Sequence, residues 1–268
     1  MHCKLAFVSE SDVGKSRNTN QDSLGFDPQG HYFALADGMG GHNGGEVASA
    51  MAVHLCLEGL EKLANSDDSA NNLTSKMLEL IESVNLAIFD ASKDNPALQG
   101  MGSTIVIALQ VDSVLHYCHV GDSRLYLLRD GLLQPLTQDH SLRQEMIDNH
   151  PEDMQTIQRD VPSNIVTQAL GVALTLKPSY GQLKLEDNDL LLASSDGLHG
   201  AMDHWTLEEL TRGKQDLSLL AQALVECANR LDGSDNISVL LARVKLDENV
   251  IHQLWRQLRQ LFTNRNNI

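Results

Sequence analysis

At 268 residues the chain can bury one sizeable core, and the absence of a Pro/Ser-rich linker, low-complexity tract or fixed-period repeat makes a single domain the simpler reading. Its 20 Lys and Arg against 36 Asp and Glu leave a formal charge of -16, which repels phosphate backbones and anionic lipid. Nucleic-acid binding by the chain as a whole is therefore excluded as an expectation and direct membrane binding is disfavoured, while solubility or bound metal would each account for the acidic excess.

Along the chain, short apolar or alternating runs bounded by Gly, Asp or Asn predict strands near 4–9, 31–36, 103–111, 113–120, 123–129, 189–195 and 237–244. Between the second and third of these lie two long amphipathic patterns, 46–64 and 73–92. The first carries Val47, Ala50, Met51, His54, Leu55, Leu60 and Leu63 on one stripe, the second Met77, Leu80, Ile81, Val84, Ala87 and Ile88. A shorter helix is expected over 141–149, and two more over 216–231 and 248–262. The strands 103–111, 113–120 and 123–129 are separated by so few residues that antiparallel hairpins are expected, which argues against a doubly wound parallel sheet. Two antiparallel sheets with helices packed outside would bury both helix stripes.

Cys3, Cys56, Cys118 and Cys227 are scattered and form no Cys-x-x-Cys, so they read as small core residues of a reducing compartment. The apolar run 5–8 is too short for a signal-peptide core, and no stretch reaches the ~18 apolar residues of a membrane span, so a cytoplasmic protein is expected.

Asp37, Asp122, Asp196 and Asp235 each stand where an apolar run ends or a Gly-Ser turn begins. Carboxylates delivered from the ends of separate strands are how a fold cages hard divalent cations. Asp-Gly alone is also a turn signal: Asp130-Gly131, between two apolar pairs, reads as an ordinary two-residue hairpin, and Asp37 or Asp196 taken singly would read the same way. Their neighbours separate them from turns. Asp37-Gly38 continues into Met39-Gly40-Gly41-His42-Asn43-Gly44-Gly45, where bare backbone can approach a ligand and a helix presents its positive end. The Lys of a P-loop and a Gly-x-Gly-x-x-Gly fingerprint are both missing. Upstream, Arg17 precedes Asp22 in a polar loop; in isolation it reads as a surface ion pair, and beside Asp22 as a phosphate anchor whose planar fork takes two oxygens.

Residues 13–22, Asp37-Gly38-Met39-Gly40-Gly41-His42, Gly102-Ser103-Thr104, Val120-Gly121-Asp122-Ser123-Arg124, 164–171, Ser195-Asp196-Gly197-Leu198 and Gly233-Ser234-Asp235-Asn236-Ile237-Ser238 resemble, in order, the motifs of metal-dependent type 2C Ser/Thr protein phosphatases of the compact bacterial form. The resemblance implies a four-layer α-β-β-α sandwich, two central antiparallel sheets flanked by helix pairs, spanning 1–244. It also implies a binuclear Mn²⁺ or Mg²⁺ centre. Asp37 would bridge the two ions, the Gly38 carbonyl would bind one, Asp196 and Asp235 would hold the other, and Asp22 would act directly or through water. Asp122 with Asp196 would hold a third, weaker ion. Hydrolysis of phosphoserine and phosphothreonine would proceed by direct attack of a metal-bridging water with Arg17 orienting the phosphate, on phosphorylated protein substrates supplied by a cognate Ser/Thr kinase. Residues 140–172 would form a flap beside the site.

Two positions depart from the family pattern. Gln21 stands where many relatives have an acidic residue, and Met39 where some have a His assigned as general acid; His42, three residues on, does not inherit that role. His116 and His119 read as structural, His140 as the opening of a helix, and Ser195 lacks the Gly-x-Ser-x-Gly elbow of a nucleophile. The segment 245–268 carries an apolar stripe, Val250 to Phe262, with Arg256, Arg259 and Arg265 among the other residues, and is expected as a helical extension that packs on the domain or docks a partner. Two other functions share these motifs: a catalytically silent phosphoprotein-binding scaffold, which would require damaged metal positions, and a metallohydrolase of small phosphoesters or phospholipids.

Overall fold

Alternation along the strands sets the layering. In the strand Tyr32–Met39, Phe33 and Leu35 face one way and Ala34 and Ala36 the other, and all four are fully buried, so this strand lies between two apolar layers. The computed structural model describes residues 3–40, 44–66, 70–213 and 216–246; Gly41, His42 and the expected helix over 248–262 lie outside the described residues.

In chain order the strands are β1 (Cys3–Asp12), β2 (Asp22–Phe26), β3 (Tyr32–Met39), β4 (Gly102–Ser103), β5 (Ile105–Val111), β6 (Val114–Val120), β7 (Arg124–Arg129), β8 (Leu132–Pro135), β9 (Ser179–Lys184), β10 (Leu190–Ser194) and β11 (Ile237–Leu246). The helices are α1 (Gly44–Ala64), α2 (Ala70–Asp94), α3 (Leu142–Asn149), α4 (Met154–Asp160), α5 (Asp196–His199), α6 (His204–Thr211) and α7 (Leu217–Leu231). One sheet runs β1-β11-β10-β7-β8 and the other β2-β3-β5-β6-β9, with β4 paired to β3, and every pairing is antiparallel. Phe33, Leu35, Val106, Leu125, Leu191 and Leu240 fill the space between the sheets. Ala34, Ile107, Cys56, Met77 and Ile81 fill the layer beneath α1 and α2, and Leu192, Val239, Leu241, Leu220 and Leu224 the layer beneath α7. The expected α-β-β-α sandwich is therefore the observed one.

Several boundaries differ from the expectation, each for a packing reason. β2 was not expected, because Asp22-Ser23-Leu24-Gly25-Phe26 has little strand propensity. Pairing with β3 forms it, and Gly25 lets α1 pack close, since a Cβ there would lie 2.7 Å from the Leu57 Cδ1 methyl. β9 was missed likewise; a Cβ at Gly181 would lie 2.2 Å from the Tyr117 ring. The stripe read on α1 is displaced: Ala48, Ser49, Ala52, Val53, Cys56 and Leu60 are buried and His54 is exposed. Small residues let α1 come close to the Ala34 and Ala36 face of β3, while Val47, Met51 and Leu55 are only partly buried. Finally, β6 and β7 do not form a hairpin. The turn 121–123 steps from one sheet to the other, with Gly121 at φ +99°, a conformation in which a side chain would also strike Thr104. The Asp130-Gly131 hairpin forms as expected, both residues at positive φ.

The buried thiols fit core roles: Cys3, Cys56 and Cys118 are free, and burial pushes Cys118 up to about 12. Among the described residues no helix is long and apolar enough to cross a membrane.

Candidate metal centre

Strand pairing delivers the carboxylates to one end of the sandwich. Asp22 and Asp37 are direct cross-strand partners in the β2–β3 ladder, where like charges destabilise unless a cation offsets them. Asp196 opens α5 just after β10, and Asp235 precedes β11, the strand paired with β10. Asp122 sits in the turn that crosses between the sheets and is almost fully buried.

The backbone around Asp37 is held tightly. Thr104 Oγ1 accepts from Asp37 N–H at 2.9 Å, while Ser103 Oγ and Thr104 N–H donate to the Asp37 carbonyl at 3.0 and 2.8 Å. The Gly102-Ser103-Thr104 motif therefore aims the Asp37 side chain. At Gly38 a Cβ would lie 2.0 Å from the Gly45 carbonyl oxygen, so the end of β3 and the first turn of α1 meet backbone to backbone and only glycine fits.

Ser195, which the sequence reading dismissed as a nucleophile, donates to Asp22 Oδ2 at 2.8 Å and accepts from Ser238 N–H at 3.0 Å. Asn236 is the other residue whose role was missed. Its amide nitrogen donates to the carbonyls of Val13 and Thr19 at 2.9 and 3.0 Å, and its Oδ1 accepts from Gln21 N–H at 2.8 Å, which fastens the Arg17 loop to the Asp235 turn. The available signal was polar side chains at the ends of apolar strands, fully or nearly buried here.

Arg17 lies on Asp235, Nη2 to Oδ2 2.7 Å, and both side chains are substantially exposed. The expected phosphate anchor and the expected metal ligand are thus partners. The remaining carboxylates have far less compensation. Asp22 Oδ1 and Asp196 Oδ1 are buried without a hydrogen-bond partner among the described residues. Burial, then the charges of Asp22, Asp196, Asp122 and Asp235, push Asp37 well above the usual carboxylate range. Burial raises Asp22 to about 6, with Asp196 and Asp235 adding to it against the bonds from Ser238 and Ser195. Asp122 is raised to about 7 by burial and by Asp196 and Asp139, and Asp196 is raised by burial and Asp235.

Two carboxylates about 4 Å apart repel by ~4 kcal/mol at an effective dielectric near 20, so such a cluster either binds protons or binds cations. Among the described residues no three His, Cys, Asp or Glu side chains close around one point as they stand. Asp235 is engaged with Arg17. The donor set itself, all carboxylate and carbonyl oxygen with two orphaned buried oxygens, fits hard divalent cations. The cavities of about 820 and 830 Å³ elsewhere on the molecule do not include these aspartates; one lies beside Cys3, Asp112 and Lys245, the other between α3 and α6.

The other groups expected to be structural each have a partner, with His119 Nδ1 left buried and unbonded among the described residues. His116 Nδ1 is 2.6 Å from Tyr180 OH, His119 Nε2 is 2.8 Å from the Gln138 carbonyl, and Ser141, directly after His140, caps α3 through a bond from Gln144 N–H.

The family model for protein phosphatase 2C matches residues 14–242 of this chain. The chain is 34% identical over 241 residues to the serine/threonine phosphatase stp of Listeria monocytogenes, covering 89% of this chain and 95% of that one. It is 32% identical to the protein phosphatase PhpP of Streptococcus pneumoniae, covering 89% and 97%. Among solved structures, the Mycobacterium tuberculosis serine/threonine phosphatase PstP/Ppp superposes with a TM-score of 0.80 at 30% identity, over 90% of this chain and 98% of that one. The catalytic domain of PstP in complex with two manganese ions superposes with a TM-score of 0.77 at 32% identity, over 90% and 99%.

Proposed function

The chain belongs to the protein phosphatase 2C family, and from that premise we propose that Asp22, Asp37, Gly38, Asp196 and Asp235 hold the cations of its active site. The protein is a metal-dependent Ser/Thr protein phosphatase using Mn²⁺ or Mg²⁺ and acting on phosphorylated proteins. The observation that carries the site assignment is the pair of orphaned buried oxygens, Asp22 Oδ1 and Asp196 Oδ1, at the strand ends where Asp37 also emerges.

In this reading Asp37, the Gly38 carbonyl, Asp196 and Asp235 would hold two ions, with Asp22 acting directly or through water, and Asp122 with Asp196 would hold a third. Bound there, divalent cations activate water and neutralise developing charge on the phosphoryl oxygens. Ser195 keeps Asp22 oriented by its 2.8 Å bond, and Thr104 keeps Asp37 oriented through its backbone. Arg17, exposed at the edge of the cleft, presents a planar fork to two phosphate oxygens. Met39 carries no proton to give, so it cannot serve as general acid to the leaving serine or threonine oxygen, a role open to water. The chain acts in the cytoplasm opposite a cognate Ser/Thr kinase, and the flap over 140–172 tunes substrate choice.

Asp22, Asp37, Asp122, Asp196 and Asp235 are all present in the sequence, which gives the silent-scaffold reading no support. Purified full-length protein should dephosphorylate phosphoserine and phosphothreonine peptides with Mn²⁺, act far more slowly on a phosphotyrosine peptide, and stop with chelator. Chelator-resistant turnover would refute the metal assignment, and a strong preference for small phosphoesters or phospholipids would overturn the substrate class.

A further inference from the structure

The turn that carries Asp122 is backed by four consecutive residues, Thr137-Gln138-Asp139-His140, each of which bonds to it or its flanks. Thr137 Oγ1 accepts from Leu125 N–H at 2.9 Å, the Gln138 carbonyl meets His119 Nε2 at 2.8 Å, and Asp139 grips Arg124 through two bonds of 2.7 and 2.6 Å. His140 engages both backbone polar groups of Gly121: its own N–H donates to the Gly121 carbonyl at 2.9 Å, and its Nδ1 accepts from Gly121 N–H at 3.3 Å. The same residue reaches the surrounding segments. Its carbonyl accepts from Thr167 N–H at 2.8 Å, its Nε2 lies 2.9 Å from Ser179 Oγ at the head of β9, and its ring stacks on His119 with centroids 4.6 Å apart. From the turn the path continues inward, because Ser123 Oγ is 2.7 Å from Thr104 Oγ1, which accepts from Asp37 N–H.

We propose that His140 is a positioning residue for the metal centre: it locks the Gly121-Asp122-Ser123 turn and ties it to both roots of the flap, so that the placement of Asp122 and the position of the flap are set together. The role requires Nδ1 to be an acceptor, which is met only by a neutral ring with its proton on Nε2, facing Ser179. Burial, reinforced by His119, lowers His140 to about 4, so the ring keeps that acceptor at neutral pH. The closest precedent in kind is the second layer of a metal site, where residues that orient ligands change metal affinity without touching the ion. This inference rests on the phosphatase reading above and adds to it a residue outside the carboxylate set.

The test is a Mn²⁺ titration of phosphothreonine-peptide hydrolysis by the full-length chain, with thermal melts of each variant. His140→Asn places a carbonyl oxygen where Nδ1 stands and keeps the Gly121 bond; His140→Gln keeps the reach to Ser179 and loses it. His140→Ala and His140→Gln should raise the Mn²⁺ concentration for half-maximal activity about tenfold, while His140→Asn stays within about threefold of the native protein, a single neutral hydrogen bond apart. A native Mn²⁺ requirement in His140→Ala, whatever its melting temperature, would overturn the proposal. If that variant does not fold, equal Mn²⁺ requirements in the Asn and Gln variants overturn it instead. Native protein that Mn²⁺ does not activate is a separate result, and refutes the phosphatase reading rather than the role of His140.

Discussion

Strand β10 has an aspartate near each end, and the two sites use the same side chain in opposite ways. Asp189, just before the strand, is 2% exposed and fully answered: Arg129 donates to its two oxygens at 2.8 and 2.6 Å, and Glu186 N–H donates at 2.8 Å. Asp196, just after the strand, has an orphaned buried Oδ1, and its pKa is raised by burial and by Asp235. One carboxylate closes a hydrogen-bond network, and the other keeps a buried oxygen without a partner among the described residues. Burial alone therefore does not single out the proposed metal ligands; at Asp22 and Asp196 it is joined by an oxygen without a partner among the described residues.

Substitutions at the two ends should separate. The largest effect is expected from Asp37→Asn: losing about 4 kcal/mol of charge stabilisation corresponds to about 10³ in rate, with the metal-free melting temperature unchanged or higher because a source of repulsion is gone. Peptide hydrolysis and a thermal melt on the same sample check both halves, and full activity would sink the site. Asp189→Ala should do the reverse. It strips Arg129 of both Asp189 oxygens and should destabilise the fold by about 2 kcal/mol, below the range for a broken buried pair because Arg129 is partly exposed and keeps Glu186 and the Lys184 carbonyl. Denaturant unfolding measures this, while the Mn²⁺ requirement stays native; a shifted requirement would erase the distinction drawn here.

A smaller effect is expected at the cleft edge. Arg17→Ala removes one charge-assisted phosphate contact and should raise KM about tenfold, with kcat falling less, whereas Arg17→Lys should recover only part of the loss because a point charge lacks the fork. Identical kinetics in all three proteins would return Arg17 to the role of a surface ion pair.

The smallest expected effect is in the pH dependence of stability. Carboxyl pKa values raised to about 6 at Asp22 and about 7 at Asp122 mean that the metal-free folded state binds more protons than the unfolded chain between about pH 4 and pH 7. These groups therefore lower stability as pH rises through that window. Cations compete for the ionised form, so the gain in melting temperature on adding Mn²⁺ should be several degrees larger at pH 7.5 than at pH 5. A gain independent of pH would show that the ion does not meet these carboxylates.

Much of the site was legible because its residues stand in short runs with a chemical meaning. Asp37 and Gly38 sit in an expanse of glycine, and Gly38 tolerates no side chain where β3 meets α1. Asp130-Gly131 carries the same dipeptide and is only a hairpin turn, so the dipeptide never sufficed without its neighbours. Ser195, Asn236 and Thr104 were in view as motif letters, but their roles depend on partners up to 223 positions away, as Asn236 is from Val13.

The amino-acid sequence by itself determined the alternation of small and large apolar residues on the strands, the antiparallel layout and the inventory of strand-end carboxylates, because those follow from local periodicity and turn chemistry. It did not determine which face α1 would bury, that β2 and β9 would be strands at all, or that the turn after β6 would change sheets instead of closing a hairpin. Those outcomes were decided by steric fit between distant segments: Gly25 under Leu57, Gly181 under Tyr117 and Gly121 against Thr104. Pairing across the sheets likewise decided the difference between Asp189 and Asp196. Whether a buried carboxylate has both oxygens answered, as at Asp189, or keeps one without a partner, as at Asp196, is a property of the packed molecule.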